Sequence, residues 1–217
     1  MSATLYNYVL SGNCYKVRLL ASLLNTELNT IAVDFHPGQE HKSEAMLQLN
    51  PAGTLPILTV DNHVFTETQA ILFWLAKQFD KNQTWYPDDS TEQVLAMQWL
   101  SFSGRLTVTV GELRLHTMLN KDINVQAAQT GAIACLRELE SHLSEQAIQG
   151  IDFLISDNPT IADIACFPYT ALSPDAGLEH DDYPAIRNWL HRVRSLDGFI
   201  TMPGIHELHG NVVEQAS

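Results

Sequence analysis

Three short segments carry residue types and spacings that could do chemistry. The first is Ser11-Gly12-Asn13-Cys14, which lies between a β-prone stretch and an amphipathic one. The start of a helix presents unpaired N–H groups and a partial positive charge, so a thiolate held there is stabilised. Ser11 and Asn13 are also preferred helix caps, and that structural reading stands beside the chemical one. The second is Asn50-Pro51-Ala52-Gly53-Thr54-Leu55-Pro56 before the apolar run Ile57 to Val60. A proline there marks the end or edge of a strand, and the residue before it is held extended. A cis Leu55–Pro56 bond would turn the Leu55 backbone groups towards a ligand. The third is Glu67-Thr68 at a helix start, where the Thr68 hydroxyl and N–H suit a carboxylate or serve simply as a cap.

The elements that must position these segments follow from periodicity. Residues 5–9 read as a strand, and Asn13 to Leu24 as a helix with Val17, Leu20, Leu23 and Leu24 on one face. Ile31, Val33 and Phe35 alternate with polar neighbours as in a strand, and His41 to Leu49 reads as a short helix. Two strands flanking Asp61-Asn62 form a hairpin. Thr66 and Gln69, spaced as a capping box, precede an apolar helix through Phe79. The order is β-α-β-α-β-β-α over residues 1–80. A polar, turn-rich linker spans 80–89, and an all-helical region covers 90–217, with helices from about Thr91 to His116 and Val125 to Leu143, and others starting near Thr160 and Pro184.

Composition narrows the function. The net charge is −13, with 4 Lys/Arg against 7 Asp/Glu in residues 1–80 and 8 against 18 thereafter. Such a surface argues against nucleic acid or anionic lipid as a partner, and an anionic substrate needs a locally positive pocket. Three cysteines, Cys14, Cys135 and Cys166, make no disulfide framework and suit a reducing, cytoplasmic setting. The N-terminus lacks the pattern of a signal peptide, and no run is long enough to span a bilayer. Nine histidines show no ligand spacing, so no metal is expected, and His180-Asp181-Asp182 reads as a solvated loop. Cys135 and Cys166 fall in apolar helical patterns, as do Trp74, Trp99 and Trp189, whereas Trp85 lies in the linker, where it would pin the two regions together.

Taken in order, these segments resemble the glutathione transferase family: Tyr6-x-x-x-x-Ser11, Asn50-Pro51 leading into Leu55-Pro56, then Glu67-Thr68 eleven and twelve residues past that proline. Phe153 to Ile164 resembles the family's loop and capping box, with Thr160 and Asp163 as the box. The resemblance extends to about residue 208. It implies an α/β thioredoxin-like N-terminal domain, an all-α C-terminal domain, glutathione as co-substrate, and a homodimer formed through the first long helix. It implies that Ser11 donates a hydrogen bond to the glutathione sulfur and that the Leu55 backbone pairs with the cysteinyl part. Glu67 and Thr68 would hold the γ-glutamyl end, His41 and Lys42 the glycyl end, and Asn13 would sit near the sulfur. Thr54 stands where relatives often carry Lys, Arg or Gln, which leaves more of the glycyl role to His41 and Lys42. The pocket for a small hydrophobic electrophile falls between the domains, with Leu10, Phe102, Arg105 and Leu106 and the region of His116 as its expected walls.

Two other readings share the pattern. One is a different glutathione-dependent reaction, either isomerisation or reduction of disulfides or peroxides, although Gly12-Asn13 departs from the Ser-Cys pair of the maleylacetoacetate isomerases. The other is a partner-binding protein of this fold without catalysis; Ser11, Glu67 and Thr68 argue against it. Cys14 occupies the second position of the Cys-x-x-Cys site of thioredoxin-like folds and reads as a shielded, core residue.

Overall fold

A computed structural model describes residues 3–208. Four strands form one mixed sheet in the order β2-β1-β3-β4. Strand β1 (Ala3–Asn7) runs parallel to β2 (Asn29–Ala32) and antiparallel to β3 (Ile57–Val60), and β3 turns through Asp61-Asn62 into β4 (His63–Phe65). The parallel β1–β2 pair requires a crossover, which α1 (Gly12–Leu23) supplies. Helix α1 and helix α3 (Thr68–Phe79) pack against one another, and Leu5, Leu19, Leu20, Leu58, Ile71 and Leu72 fill the space between sheet and helices. The element order matches the reading of the sequence, with β1 lying two residues earlier than the expected 5–9 and three further local differences.

Ile31 lies on edge strand β2, whose residues are all exposed, while Val33, just past the strand, is buried with Cys14, Met46, Leu55 and Ile57 in a small second core. Helix α2 (Glu44–Leu49) starts later than expected. Residues 40–42 form a 3₁₀ turn, and the Ser43 hydroxyl then accepts the Met46 N–H. The Thr66/Gln69 capping box does not form. Glu67 is the N-cap without a side-chain bond, and the Gln69 amide instead donates to the buried Ser103 hydroxyl on the neighbouring helix (3.2 Å), a partner the local sequence cannot reveal.

Between α3 and the next helix, Trp85 ties the chain down: its N–H donates to the Asp80 carboxylate and its carbonyl accepts the Ile161 N–H (2.8 Å). The expected long helix is present as α4 (Ser90–Leu106), a π-helical stretch Thr107–Gly111, and α5 (Glu112–Leu119), which ends at Asn120 with φ +53°. A π stretch inside a helix shifts the face that later residues present. Helix α6 (Val125–Gln149) buries Ala128, Ala132, Cys135, Leu136, Leu139 and Leu143, the seam its periodicity indicates, and runs to a Gly150 cap.

Helix α7 (Ile161–Ala171) is buried nearly all round, as a helix without a polar face must be. Its Thr160/Asp163 capping box is formed: the Asp163 carboxylate accepts the Thr160 and Leu154 N–H groups and the Trp189 indole N–H from α8 (Pro184–Arg194). The Ala185 and Ile186 N–H groups at the start of α8 donate to Glu140 of α6, an anion at a helix N-terminus. Residues 209–217, the end of the region expected to be helical, lie outside the described residues.

Candidate functional site

The β1–α1 loop delivers Ser11 to the N-terminal start of α1 in extended geometry, φ −78° and ψ 118°. Its N–H donates to the Tyr8 carbonyl (3.0 Å), and its hydroxyl oxygen accepts the Cys14 N–H (3.2 Å). The cap reading of Ser11 therefore holds, and it leaves the hydroxyl proton free, because a cap uses only the oxygen lone pair. Cys14 itself is fully buried, with the Tyr8 N–H on its sulfur (3.5 Å). Burial pushes its thiol up, against smaller opposing effects from Ser11, Tyr8 and Arg18, so it is a protonated core residue at neutral pH.

Ser11 opens on a cavity of about 330 Å³ between the sheet-side loops and the helices. On the sheet side lie Tyr8, Phe35, His41, Lys42, Gly53, Thr54 and Leu55. Tyr8, Phe35 and His41 stack in a column, with centroids 5.2 and 4.0 Å apart. Burial, then the nearby Lys42 charge, holds the His41 imidazolium below its usual range, so the ring is neutral at pH 7. Its buried Nδ1 has no partner, and neither has the buried Oδ1 of Asn13, which also lines the cavity. Buried polar atoms are normally paired, so two orphans in one concave site mark a place for a ligand's donor or acceptor.

The 50–56 segment is organised by Asn50, itself buried, whose amide donates to both the Thr54 carbonyl and hydroxyl (2.9 Å each). The Leu55–Pro56 bond is cis. The β3 ladder begins only at Ile57, and the Leu55 N–H and C=O take no part in it.

The helical side of the cavity corrects the expected second wall. Leu10 lines it, but Phe102, Arg105 and Leu106 do not. Phe102 packs edge-on against Trp99 (4.9 Å), Leu106 is fully buried, and Arg105 forks onto Glu138 (3.0 and 2.7 Å). The lining comes from Thr107 and Gly111, at the two ends of the π stretch, and from Glu112, Arg114, Leu115 and Met118 of α5 beyond it. Their spacing at four, then three or four residues was the readable signal.

The buried Arg114 guanidinium joins three segments, donating from Nε to Asp175 (2.8 Å) and from Nη1 to the Leu10 carbonyl (2.6 Å), beside Ser11. Lys121 pairs with Glu112 at the mouth (2.5 and 2.7 Å), and Lys42 is exposed. Tyr169 of α7 completes the wall and was not singled out from sequence. His116 bonds the Lys121 carbonyl (2.8 Å) outside the lining.

Glu67 and Thr68 stand at the start of α3 and do not line this cavity. Glu67 borders a separate groove between α3 and α4 with Ala70, Phe73, Tyr86, Met97 and Leu100. His180-Asp181-Asp182 is a loop with both aspartates exposed, but the half-buried His180 ring turns inward, its Nε2 2.8 Å from both the Ser173 hydroxyl and the Thr170 carbonyl. Among the described residues no three His, Cys, Asp or Glu side chains gather as a metal site, and no helix is long and apolar enough to cross a membrane.

Two family models match the chain: glutathione S-transferase, N-terminal domain, over residues 1–77, and glutathione S-transferase, C-terminal domain, over residues 122–192. A crystal structure of a possible glutathione S-transferase from Rhodopseudomonas palustris superposes with a TM-score of 0.83 at 30% identity, covering 93% of this chain and 98% of that one. The chain belongs to the glutathione S-transferase family. Its fold is accordingly the thioredoxin-like sheet layer followed by the all-helical layer described above. It is also similar to glutathione S-transferase theta-1 of Bos taurus, 26% identical with 96% of this chain and 89% of that one covered. The disulfide-bond oxidoreductase YfcG of Escherichia coli is 26% identical, with 84% and 86% covered.

Proposed function

We propose that this glutathione S-transferase family member binds glutathione on a thioredoxin-like domain of residues 1–80 and conjugates it to a small hydrophobic electrophile held against the helical domain that begins at residue 90. The observation that carries the reading is the Ser11 hydroxyl: capped onto α1 through its oxygen, with its proton free, at the rim of a cavity beside a helix N-terminus. The glutathione sulfur lies against Ser11, near Asn13. The cysteinyl backbone pairs with the free N–H and C=O of Leu55. The glycyl carboxylate faces Lys42 and the His41–Phe35 stack, and Thr54, its hydroxyl already engaged by Asn50, shapes that end. The γ-glutamyl group reaches out of the cavity to Glu67 and to Thr68 at the start of α3.

A free thiol titrates near pH 8.5, so little thiolate exists at neutrality. A hydrogen bond to a charged group contributes about 1.5–3 kcal/mol, and a helix N-terminus about 0.3–1 kcal/mol. At about 1.4 kcal/mol per unit, these lower the thiol pKa by about one to three units, and a shift beyond about 1.5 units makes thiolate the major form at neutral pH. Ser11 keeps its proton and acts as donor. The sulfur forms a bond to the electrophilic carbon, the leaving group departs with its electron pair, and the thiol proton has already gone to solvent. Two copies of the chain pair through the α3–α4 groove, where Phe73, Val94, Leu95 and Met97 are exposed.

The name of the relative YfcG favours a second reading, in which the same thiolate attacks a disulfide. Turnover of a mixed disulfide faster than of any carbon electrophile would select it. Calorimetry with glutathione tests the shared premise. We expect binding at millimolar concentration or below, weakened about tenfold or more in Glu67→Gln, which removes a charged partner of the amine. No binding at millimolar glutathione would overturn the proposal in favour of a partner-binding protein.

A further inference from the structure

The helical wall of the cavity carries one side chain that a purely apolar pocket does not need. Arg114 of α5 lines the cavity, yet its side chain is only 5% exposed. Burying a guanidinium is costly unless its N–H groups find acceptors. Of the five N–H bonds that an arginine presents, Nε gives one to Asp175 and Nη1 gives one to the Leu10 carbonyl. Among the described residues the other terminal nitrogen, Nη2, has no partner, and it is not sealed away from solvent. Because the rest of the side chain is covered, the cavity is where an acceptor can reach it.

The other charges around the cavity are already balanced or stand elsewhere. Glu112 is paired with Lys121 at the mouth (2.5 and 2.7 Å). Lys42 is exposed on the sheet side, at the end given to the glycyl group. Asp175 does not line the cavity, and its side chain is 35% exposed, so water weakens its hold on Arg114. Arg114 is therefore a buried cation with open donors on the helical side. A net charge of −13 repels anions at long range, and a site for one needs a local cation of this kind. The place is also significant. Nη1 lies 2.6 Å from the carbonyl of Leu10, the residue before Ser11, so an anion held on this guanidinium lies close to the reacting centre rather than at the far end of a substrate.

We infer that Arg114 is a specificity-determining residue that binds a carboxylate on the second substrate, and that the preferred electrophiles carry that carboxylate at or beside the carbon that sulfur attacks. The inference rests on the proposed function above and names the substrate class of the same site. Guanidinium–carboxylate hydrogen bonds are short and strong, and their planar geometry fixes orientation as well as position. Arg114 is held from two sides, by Asp175 and by Leu10, so little ordering remains to be done when the substrate arrives. For an aroylacrylate, the sulfur forms its bond to the carbon bearing the carboxylate. The C=C pair moves to the carbon next to the ketone, and that carbon takes a proton from solvent, replacing the one that the glutathione thiol lost. The carboxylate stays ionised, and Arg114 orients it without entering the bond changes. Leu10, Leu115 and Met118 are left to cover the aryl group.

The test compares β-benzoylacrylate with its amide, which keeps the shape and removes the charge. The readout is the ratio of their kcat/KM values with glutathione, each divided by the uncatalysed rate. We expect the unmodified protein to favour the acid by about ten- to a hundredfold, the range for a hydrogen bond to a charged group, and Arg114→Gln to bring the ratio close to one. Arg114 also holds the Leu10 carbonyl, so the ratio and not the absolute rate carries the answer. An equal loss on both substrates with the ratio kept would reduce Arg114 to steadying the Ser11 loop and overturn the inference. Calorimetry on the unmodified protein gives a reading that does not depend on the variant's folding. S-(carboxymethyl)glutathione should bind about tenfold or more tighter than S-(carbamoylmethyl)glutathione, and equal affinities would overturn the inference while leaving the proposed function standing. Absence of binding by glutathione itself, read in the same series, would overturn both.

Discussion

Ser11 is asked to hold two hydrogen bonds of opposite sense, and substitution can separate them. As acceptor its oxygen caps α1 through the Cys14 N–H at 3.2 Å. As donor, in the proposed function, it is expected to meet the bound thiolate. Ser11→Ala removes both: loss of the cap costs about 1 kcal/mol of stability, and loss of a hydrogen bond to a charged sulfur, about 1.5–3 kcal/mol, raises the bound thiol pKa by about one to two units. Ser11→Asp keeps the cap, because a carboxylate accepts the same N–H, but it has no proton to give and places a negative charge beside the sulfur. Its expected signature is near-normal stability with a bound thiol pKa raised further than in Ser11→Ala. Urea unfolding reads the first quantity, and ultraviolet absorbance of the bound thiolate against pH reads the second. Ser11→Asp should be both the more stable variant and the one with the higher bound thiol pKa. If the thiol pKa in Ser11→Ala matches that of the unmodified protein, the hydroxyl is only a cap; if Ser11→Asp lowers it, the electrostatic reasoning is wrong.

Two further outcomes follow from the structure. Lys16 is fully buried; its ammonium has no hydrogen-bond partner and lies 4.8 Å from the Tyr169 ring centroid, and burial lowers its pKa from 10.5 to about 8. Between pH 8 and 10.5 the unfolded chain holds this proton and the folded chain does not, so the group adds about 3 kcal/mol of stability as pH rises through that window, a cost carried in full below it. Lys16→Met should abolish that rise and be the more stable protein at pH 7, whereas parallel stability–pH curves for the two proteins would refute it. The exposed Phe73 and Met97 on the α3–α4 groove are expected to seat a second copy, and Met97→Asp should shift sedimentation from dimer to monomer at micromolar concentration; a monomeric unmodified protein would contradict the pairing.

Much of the fold was legible because local signals agreed with tertiary ones. The β-α-β-α-β-β-α order, the α6 seam and the Thr160/Asp163 box all rest on short-range periodicity and capping, which the packing reinforces rather than overrides. On the sheet side of the cavity, Ser11, Asn13 and Leu55 stand out from the local sequence, whereas His41, Lys42 and Thr54 are indicated only by the family resemblance; all six line it. Glu67 and Thr68 are placed at a helix start as read, but outside that cavity. What failed needed information from across the chain. The π stretch re-aims the residues after Leu106, so the wall passes from Phe102 and Arg105 to Gly111 and Arg114. Gln69 left its expected cap for Ser103 on another helix. Tyr169 looks like one more core aromatic until α1 and the π stretch are brought against it, where a Cβ at Gly12 or Gly111 would strike its ring.

A crystal structure with glutathione bound tests the central claim most directly. The account predicts the sulfur within hydrogen-bonding distance of the Ser11 hydroxyl, the cysteinyl backbone paired with Leu55, and the γ-glutamyl group at Glu67 and Thr68. Glutathione bound with its sulfur remote from residue 11, or lying wholly in the α3–α4 groove, would contradict it.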